Sequence, residues 1–362
     1  MQVIMLPVNQ ILQRNIALFN QGKWLFINPP DADFFPLCLT SNIHVLHQTV
    51  DVFNKATNTN KAYAFDSRDI VEQPNKLRVS AQVGLHSHEF APFITSGNFD
   101  QALLFMPKSK SQFSMLMHMA LSHMNKDGCL YIVGDNKSGI KSITKLMQPF
   151  GNVEKVDSAR HCTLLCLTLE KQVSSFNPND YLKYATYELG EREWECASFP
   201  GVFSEGALDE GTALFLQTLP LPLHGRTLDF ASGAGVISCF VGKALQHISC
   251  DLLDVSAIAL YCAAHSLKEN QLHGTLIAAN GLQGVTQQYQ CILTNPPFHT
   301  GTKTDYAIVT EFINTSVNRL KKGGNLYVVA NRFLPYTDQL KTKYSQVDVL
   351  AQNNKFSVYK CA

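Results

Sequence analysis

Residues 228–235 read "LDFASGAG", an apolar run that stops at small residues, and the next twelve, "VISCFVGKALQH", carry the apolar spacing of a helix. Strand, glycine-bearing turn and helix in that order open a unit of the α/β class. The alternation continues downstream. "ISCDLLDVS" (248–256) reads as a strand, "AIALYCAAHSLKENQ" (257–271) as a helix, and "GTLIAAN" (274–280) and "YQCILTNPPF" (289–298) as strands. A long helix pattern (306–324) then leads to the strand "NLYVVANRF" (325–333), and "FSVYKCA" (356–362) reads as a last strand. Buried β-branched runs between helices mean a mostly parallel sheet covered on both faces.

The rhythm occurs twice. "GCLYIVGDN" (128–136) lies over "GNLYVVANR" (324–332), with Gly, Leu, Tyr and Val at matched positions. Each is preceded by a helix pattern and, before that, by a strand: "QALLFMPKS" (101–109) against "CILTNPPFH" (291–299). The simplest account is a duplicated α/β domain: residues 1–175, a linker over 176–199, and a second domain over 200–362.

Asn-Pro-Pro also occurs twice. The copy at 295–297 ends a fourth strand beside the crevice where open α/β sheets bind ligands, and its expected partner in the first half is Met106-Pro107-Lys108. The copy at Asn28, Pro29 and Pro30 ends a first strand and reads as a turn, because proline restricts the residue before it and initiates turns.

In the loop after the first strand of the second half, Gly233 and Gly235 permit close backbone approach, and the helix beyond offers free N–H groups. Asp254 ends the next strand, 25 residues after Asp229, where a carboxylate accepts ribose hydroxyls. Asn280 ends the third strand, where an amide reads an adenine amino edge. The crevice suits an adenine nucleoside, as a dinucleotide or as S-adenosylmethionine; Asp229 and the Asn-Pro-Pro-Phe turn favour the methyl donor. An exocyclic amine is a poor nucleophile because its lone pair is delocalised. The Asn295 side-chain oxygen and the Pro296 carbonyl can accept its two N–H groups, Phe298 offers a face for stacking a base, and His299 is either a proton acceptor or a solvent-facing turn residue.

Composition bounds the remaining choices. At 362 residues, 45% hydrophobic and 16% charged, with a formal net charge of +1, the chain is globular and carries no global basic field. Lys and Arg slightly outnumber Asp and Glu up to residue 185, and the reverse holds beyond, which tilts nucleic-acid docking toward the first half. The ten cysteines form no Cys-x-x-Cys pair and read as reduced core residues, without a metal role. The N-terminus lacks a basic leader and a membrane-spanning run, so the expectation is a soluble cytoplasmic protein.

The sequence resembles the ribosomal RNA small subunit methyltransferase C family over nearly its whole length. The resemblance rests on "PGVFS" (200–204), "LDEG" (208–211), "LDFASGAG", "DVS" (254–256), "NPPFH" (295–299), "ANRFLPY" (330–336) and "FSVYK" (356–360), and in the first half on "VGDNKSGIKS" (133–142) and "KVDSARHC" (155–162). It implies two tandem Rossmann-like methyltransferase domains. The first is degenerate and serves folding and RNA docking; the second binds S-adenosylmethionine and methylates a guanine N2 amine in small-subunit rRNA. It also implies that Phe203, Asp229, Ala231, Ser232, Gly233, Gly235, Asp254, Val255, Asn280 and Asn295 face the cofactor, while Asn295, Pro296 and Phe298 face the guanine. Lys108, Lys110, Lys137, Lys141 and Arg160, on loops expected at one end of the first sheet, are candidate contacts to rRNA phosphates. One departure stands out. The family loop carries glycine where this chain has Ala231, and a shift in loop geometry is expected there. The competing readings are a large-subunit guanine-N2 methyltransferase and a non-catalytic RNA-binding scaffold.

Overall fold

The computed structural model describes residues 5–38, 41–203, 208–245, 249–296, 303–333 and 336–362, the backbone alone over 303–307. The chain divides into two units: one runs to Thr59 and resumes over Arg78–Tyr181, the other comprises Asn60–Leu77 and Leu182–Ala362.

The first unit begins with α1 (Pro7–Arg14), β1 (Lys23–Ile27), β2 (Asn42–His47) and α2 (Val50–Ala56). The chain then supplies β3 (Tyr63–Asp66) and α3 (Ser67–Glu72) to the second unit. It returns as β4 (Val79–Val83), β5 (His86–Phe90), β6 (Phe99–Phe105), α4 (Lys110–Ser122) and β7 (Met124–Asp135). A single helical turn, α5 (Thr144–Met147), and the strands β8 (Gly151–Ala159) and β9 (Cys162–Leu169) complete it.

The second unit continues with the hairpin β10 (Lys183–Leu189) and β11 (Arg192–Ser198), then α6 (Glu210–Thr218), β12 (Thr227–Phe230), α7 (Val236–Ala244) and β13 (Cys250–Asp254). Next come α8 (Ala257–Glu269), β14 (Thr275–Ala278), β15 (Tyr289–Thr294), α9 (Lys303–Ser316) and β16 (Leu320–Asn331). The last elements are α10 (Tyr336–Lys343), β17 (Val347–Gln352) and β18 (Phe356–Cys361).

Each unit holds one eight-stranded sheet, and the two sheets share one plan. From the same edge the orders are β8-β9-β7-β6-β1-β2-β5-β4 and β17-β18-β16-β15-β12-β13-β14-β3. The five central strands are parallel in both, and the flanking ones antiparallel. Even the irregularities recur. The pairing of β6 with β7 slips between Phe99 and Gln101, and that of β15 with β16 slips between Tyr289 and Cys291. At the slip Asp127 (φ 63°) and Gly323 (φ 73°) take the same left-handed conformation. The glycine after each is needed for space: a Cβ on Gly128 would lie 2.8 Å from the Asp100 carbonyl oxygen, and one on Gly324 would lie 3.0 Å from that of Gln290.

Three sequence expectations change. The segment Asn60–Leu77 stands in the second unit, because β3 pairs antiparallel with β14 and Ser67 exchanges hydrogen bonds of 3.1 Å with the Gly274 backbone in both directions. Residues 183–198 form a packed hairpin instead of a linker. Trp194 is fully buried there, edge-on to Phe240 at 5.1 Å, and the Asn270 amide clasps the Glu195 backbone at both its N–H and its carbonyl. Finally, Gln101 pairs with Cys129 as Cys291 pairs with Asn325, which sets Phe105, and not Met106, in the place of Asn295. The two strands keep one register, and β6 only runs one residue further at its carboxyl end, so that Met106 falls opposite Pro296.

The early Asn-Pro-Pro makes a turn. Asn28 takes φ 58°, and Asp31 just beyond accepts hydrogen bonds from the Asn9 side chain (2.7 Å) and the Asp33 backbone (2.9 Å). The ten cysteines are free, and eight of them are buried. Among the described residues no helix is long and apolar enough to cross a membrane. Likewise, no group of three or more His, Cys, Asp or Glu side chains among them is placed to hold a metal.

Candidate active site

At the carboxyl ends of β12, β13, β14 and β15 the second unit opens a cleft of about 300 Å³ with a mostly apolar lining. This is where an open α/β sheet leaves space, since the strand order reverses between β12 and β15. Phe203, Ala231, Ser232, Gly233, Asp254, Val255, Asn280 and Asn295 all line it. Phe203 is 57% exposed at its mouth.

The loop from 231 to 235 is fixed by backbone geometry. Ala231 adopts φ 58°, Gly233 φ 54° and Gly235 φ 81°. The alanine takes the left-handed conformation itself, which costs a side-chain-bearing residue about 1–2 kcal/mol. A Cβ on Gly233 would meet nothing within 4 Å, so the space above it is open to the cleft. Gly235 has the opposite task. Its Cα packs on Leu252, where a Cβ would come within 3.0 Å, and this seats the start of α7 against the sheet.

Asp229 does not line the cleft. It is fully buried beneath the loop, where its Oδ2 accepts from the Ser238 backbone N–H (3.1 Å) and hydroxyl (2.8 Å). It thereby caps α7, whose own N-cap, Gly235, has no side chain. Its other oxygen has no partner among the described residues, and burial pushes the carboxyl up to about 7. Asp254 ends β13 with both oxygens engaged on one side, accepting from Gly233 N–H and Ser256 N–H at 2.9 Å each. Burial raises this carboxyl as well. A carboxylate oxygen has two lone pairs, so each retains capacity for a hydroxyl. Ser232, 8% exposed, has an Oγ without a partner among the described residues and lines the same space.

Asn295 follows β15 directly. Its Nδ2 donates to Asp209 Oδ2 (2.9 Å) and to Thr212 Oγ1 (2.8 Å). Thr212 in turn donates to Asp209 through its backbone N–H (2.9 Å) and its hydroxyl (3.2 Å). Sequence reasoning assigned Asp209 and Thr212 no role. The available signal was an Asp three residues before a Thr at the start of an apolar run, the pattern of a helix N-cap, and Asp209 is the N-cap of α6. Pro296 is buried next to Asn295. Phe298 and His299 lie outside the described residues.

On the first unit, Lys108, Lys110, Lys137, Lys141 and Arg160 are all exposed. They follow the carboxyl ends of β6 and β7 or sit in the β8–β9 turn, which is tied to the end of β7 by Asn136 N–H donating to the His161 carbonyl at 2.8 Å. Among the described residues none of the five forms an ion pair.

Comparison with known proteins agrees with this architecture. Residues 9–185 match the model of the methyltransferase small domain N-terminal family, and residues 193–360 that of the methyltransferase small domain family. The ribosomal RNA small subunit methyltransferase C of Alteromonas mediterranea is 45% identical over 99% of both chains. The chain belongs to the ribosomal RNA small subunit methyltransferase C family. Another member, from Psychromonas ingrahamii, is 41% identical over 98% of this chain and 96% of its own. The fold of this methyltransferase also matches the T. thermophilus 16S rRNA N2 G1207 methyltransferase (RsmC), solved in complex with AdoMet and guanosine. That match has a TM-score of 0.80 and 19% identity over 99% of this chain and 92% of the other.

Proposed function

We propose that this methyltransferase transfers a methyl group from S-adenosylmethionine to the exocyclic N2 amine of a guanine in small-subunit rRNA, in the cytoplasm. The observation that carries the reading is Asn295: its amide hydrogens are taken by Asp209 and Thr212, so its Oδ1 is the atom left for a substrate amine.

The residues fit the donor. Asp254 keeps lone pairs for ribose hydroxyls, Asn280 presents an amide at the third strand end, Ser232 has a hydroxyl with no partner among the described residues, and the space over Gly233 is open. Bound there, the donor supplies an electrophilic methyl group on a sulfonium. The protein's share is orientation. Asn295 Oδ1, with the Pro296 carbonyl beside it, accepts the amine N–H groups and draws the nitrogen toward tetrahedral geometry, and Phe298 stacks the base. Holding the amine in line with the methyl contributes several kcal/mol, on the order expected for proximity alone. No general base is required before transfer, because the methylated ammonium loses its proton readily afterwards.

The five exposed cations Lys108, Lys110, Lys137, Lys141 and Arg160, without an ion pair among the described residues and gathered at one sheet end, are the proposed rRNA contact, with docking on the first domain and chemistry on the second.

The test is Asn295→Ala with unmethylated small-subunit particles and labelled donor. kcat falls about 10²- to 10³-fold, as for removal of a preorganised transition-state hydrogen bond, while donor affinity by calorimetry stays within about threefold of the parent. A fully active variant overturns the reading, and transfer to large-subunit RNA alone redirects it.

A further inference from the structure

The direction of every proton around Asn295 is forced. A carboxylate only accepts, so the atom that Asn295 turns toward Asp209 must be its nitrogen, and the Thr212 hydroxyl, 3.2 Å from the same oxygen, must give its proton to Asp209. The Thr212 oxygen is then left with lone pairs, and Asn295 Nδ2 at 2.8 Å fills one of them. Both amide hydrogens are thus spent. Rotating the amide by 180° would face its oxygen to a carboxylate oxygen at 2.9 Å, a contact of two acceptors. Thr212 is 7% exposed, so water does not easily substitute for it.

We propose that Asp209 and Thr212 are positioning residues that lock the Asn295 amide with its oxygen toward the substrate, and that without them the amide would offer an amine a donor where an acceptor is needed. The inference rests on the reading of Asn295 as the acceptor of the substrate amine. A free amide has two nearly isoenergetic orientations, and only one is productive. The helix N-cap and the catalytic turn are therefore one device, with Asp209 Oδ2 serving both.

Two substitutions separate orientation from folding. Thr212→Val keeps the shape and removes the hydroxyl. Asp209→Ser keeps a helix-capping oxygen but is too short to reach Asn295. With unmethylated small-subunit particles at saturating donor, each lowers kcat about tenfold or more, with donor affinity and melting temperature close to the parent. Thr212→Ser recovers most of the activity, and Thr212→Val has no further effect in the Asn295→Ala background. If Asn295→Ala is inactive while Thr212→Val and Asp209→Ser keep parental kcat, the lock is refuted and the reading of Asn295 survives. If Thr212→Ser falls as far as Thr212→Val, or if the only loss is in donor affinity, the lock is equally refuted. If Asn295→Ala is itself active, the reading of Asn295 fails first.

Discussion

In the second unit the strand ends carry Asp229, Asp254 and Asn295; register sets Phe26, His47 and Phe105 at the same places in the first. Trp24 pairs with Gln101 and Ile43 as Thr227 pairs with Cys291 and Cys250, so the correspondence follows from the hydrogen-bond ladders. The first unit fills what the second leaves open. Phe26 stacks on Phe34 with ring centroids 6.1 Å apart, and Phe35 lies edge-on to His47 at 5.8 Å and to His88 at 5.1 Å. His47 and His88 share a 2.9 Å hydrogen bond, and burial keeps both from charging, His88 being pushed down to about 4. A plan that accommodates a nucleoside when its strand ends are polar becomes an aromatic core when they are aromatic. The lesson is that topology sets where a site can be and a few residues decide whether it exists.

Four experiments press on that comparison, beginning with the largest effect. Replacing residues 60–77 by a flexible linker removes β3 and leaves the β14 edge unpaired. The second unit loses more than about 4 kcal/mol, beyond the usual range of a single substitution, while the first keeps its own thermal transition. Equal loss in both units would mean that they do not stand as separately as their sheets do.

The next effect is on RNA. Changing Lys108, Lys137, Lys141 and Arg160 together to Ala lowers the slope of log affinity against log salt by ~0.7 to 0.9 for each phosphate no longer neutralised. An unchanged slope sends docking back to the second unit.

A smaller effect concerns Asp229, whose counterpart Phe26 cannot titrate. Its buried carboxyl sits at about 7, against an ordinary value near 4, so the folded state binds a proton that the unfolded chain has released. Stability is full below about pH 4, declines as pH rises to about 7, and is level beyond. Asp229→Asn lacks this decline. Its stability relative to the parent, from denaturant midpoints at pH 4.5 and pH 8, rises between the two; a difference independent of pH contradicts the assignment.

The smallest effect pairs Ala231 with Asn28, which share φ 58° after the first strand of each unit. Ala231→Gly relieves left-handed strain and raises stability by up to about 1 kcal/mol, where an ordinary Ala→Gly change lowers it. Asn tolerates this conformation, so Asn28→Gly is close to neutral in the same unfolding assay.

Much of the fold was legible because buried parallel strands have a plain signature: "GCLYIVGDN" and "GNLYVVANR" have the same burial pattern apart from their last residues. The cleft was legible where chemistry sits at a strand end, as with Asp254, Asn280 and Asn295. What escaped had no local signal. The strand β3 is four residues long and nowhere fully buried, so no periodicity marks it. Asp209 carried only the local pattern of a helix start, and nothing in the chain announces that its second partner lies 86 residues downstream. Asp229 was expected to face the cofactor, but its position under the helix instead of in the cleft depends on Ser238, which only the turn of α7 brings near.

The strand on loan from the first half also fixes a timetable. Ser67 leaves the ribosome 207 residues ahead of Gly274, the residue it binds. At ordinary elongation speeds that gap is about 10 to 40 s. During synthesis the early segment must wait, tethered between finished neighbours at Thr59 and Arg78, until its partner is made. The second unit can close only near the end of translation, around a piece held ready from the beginning.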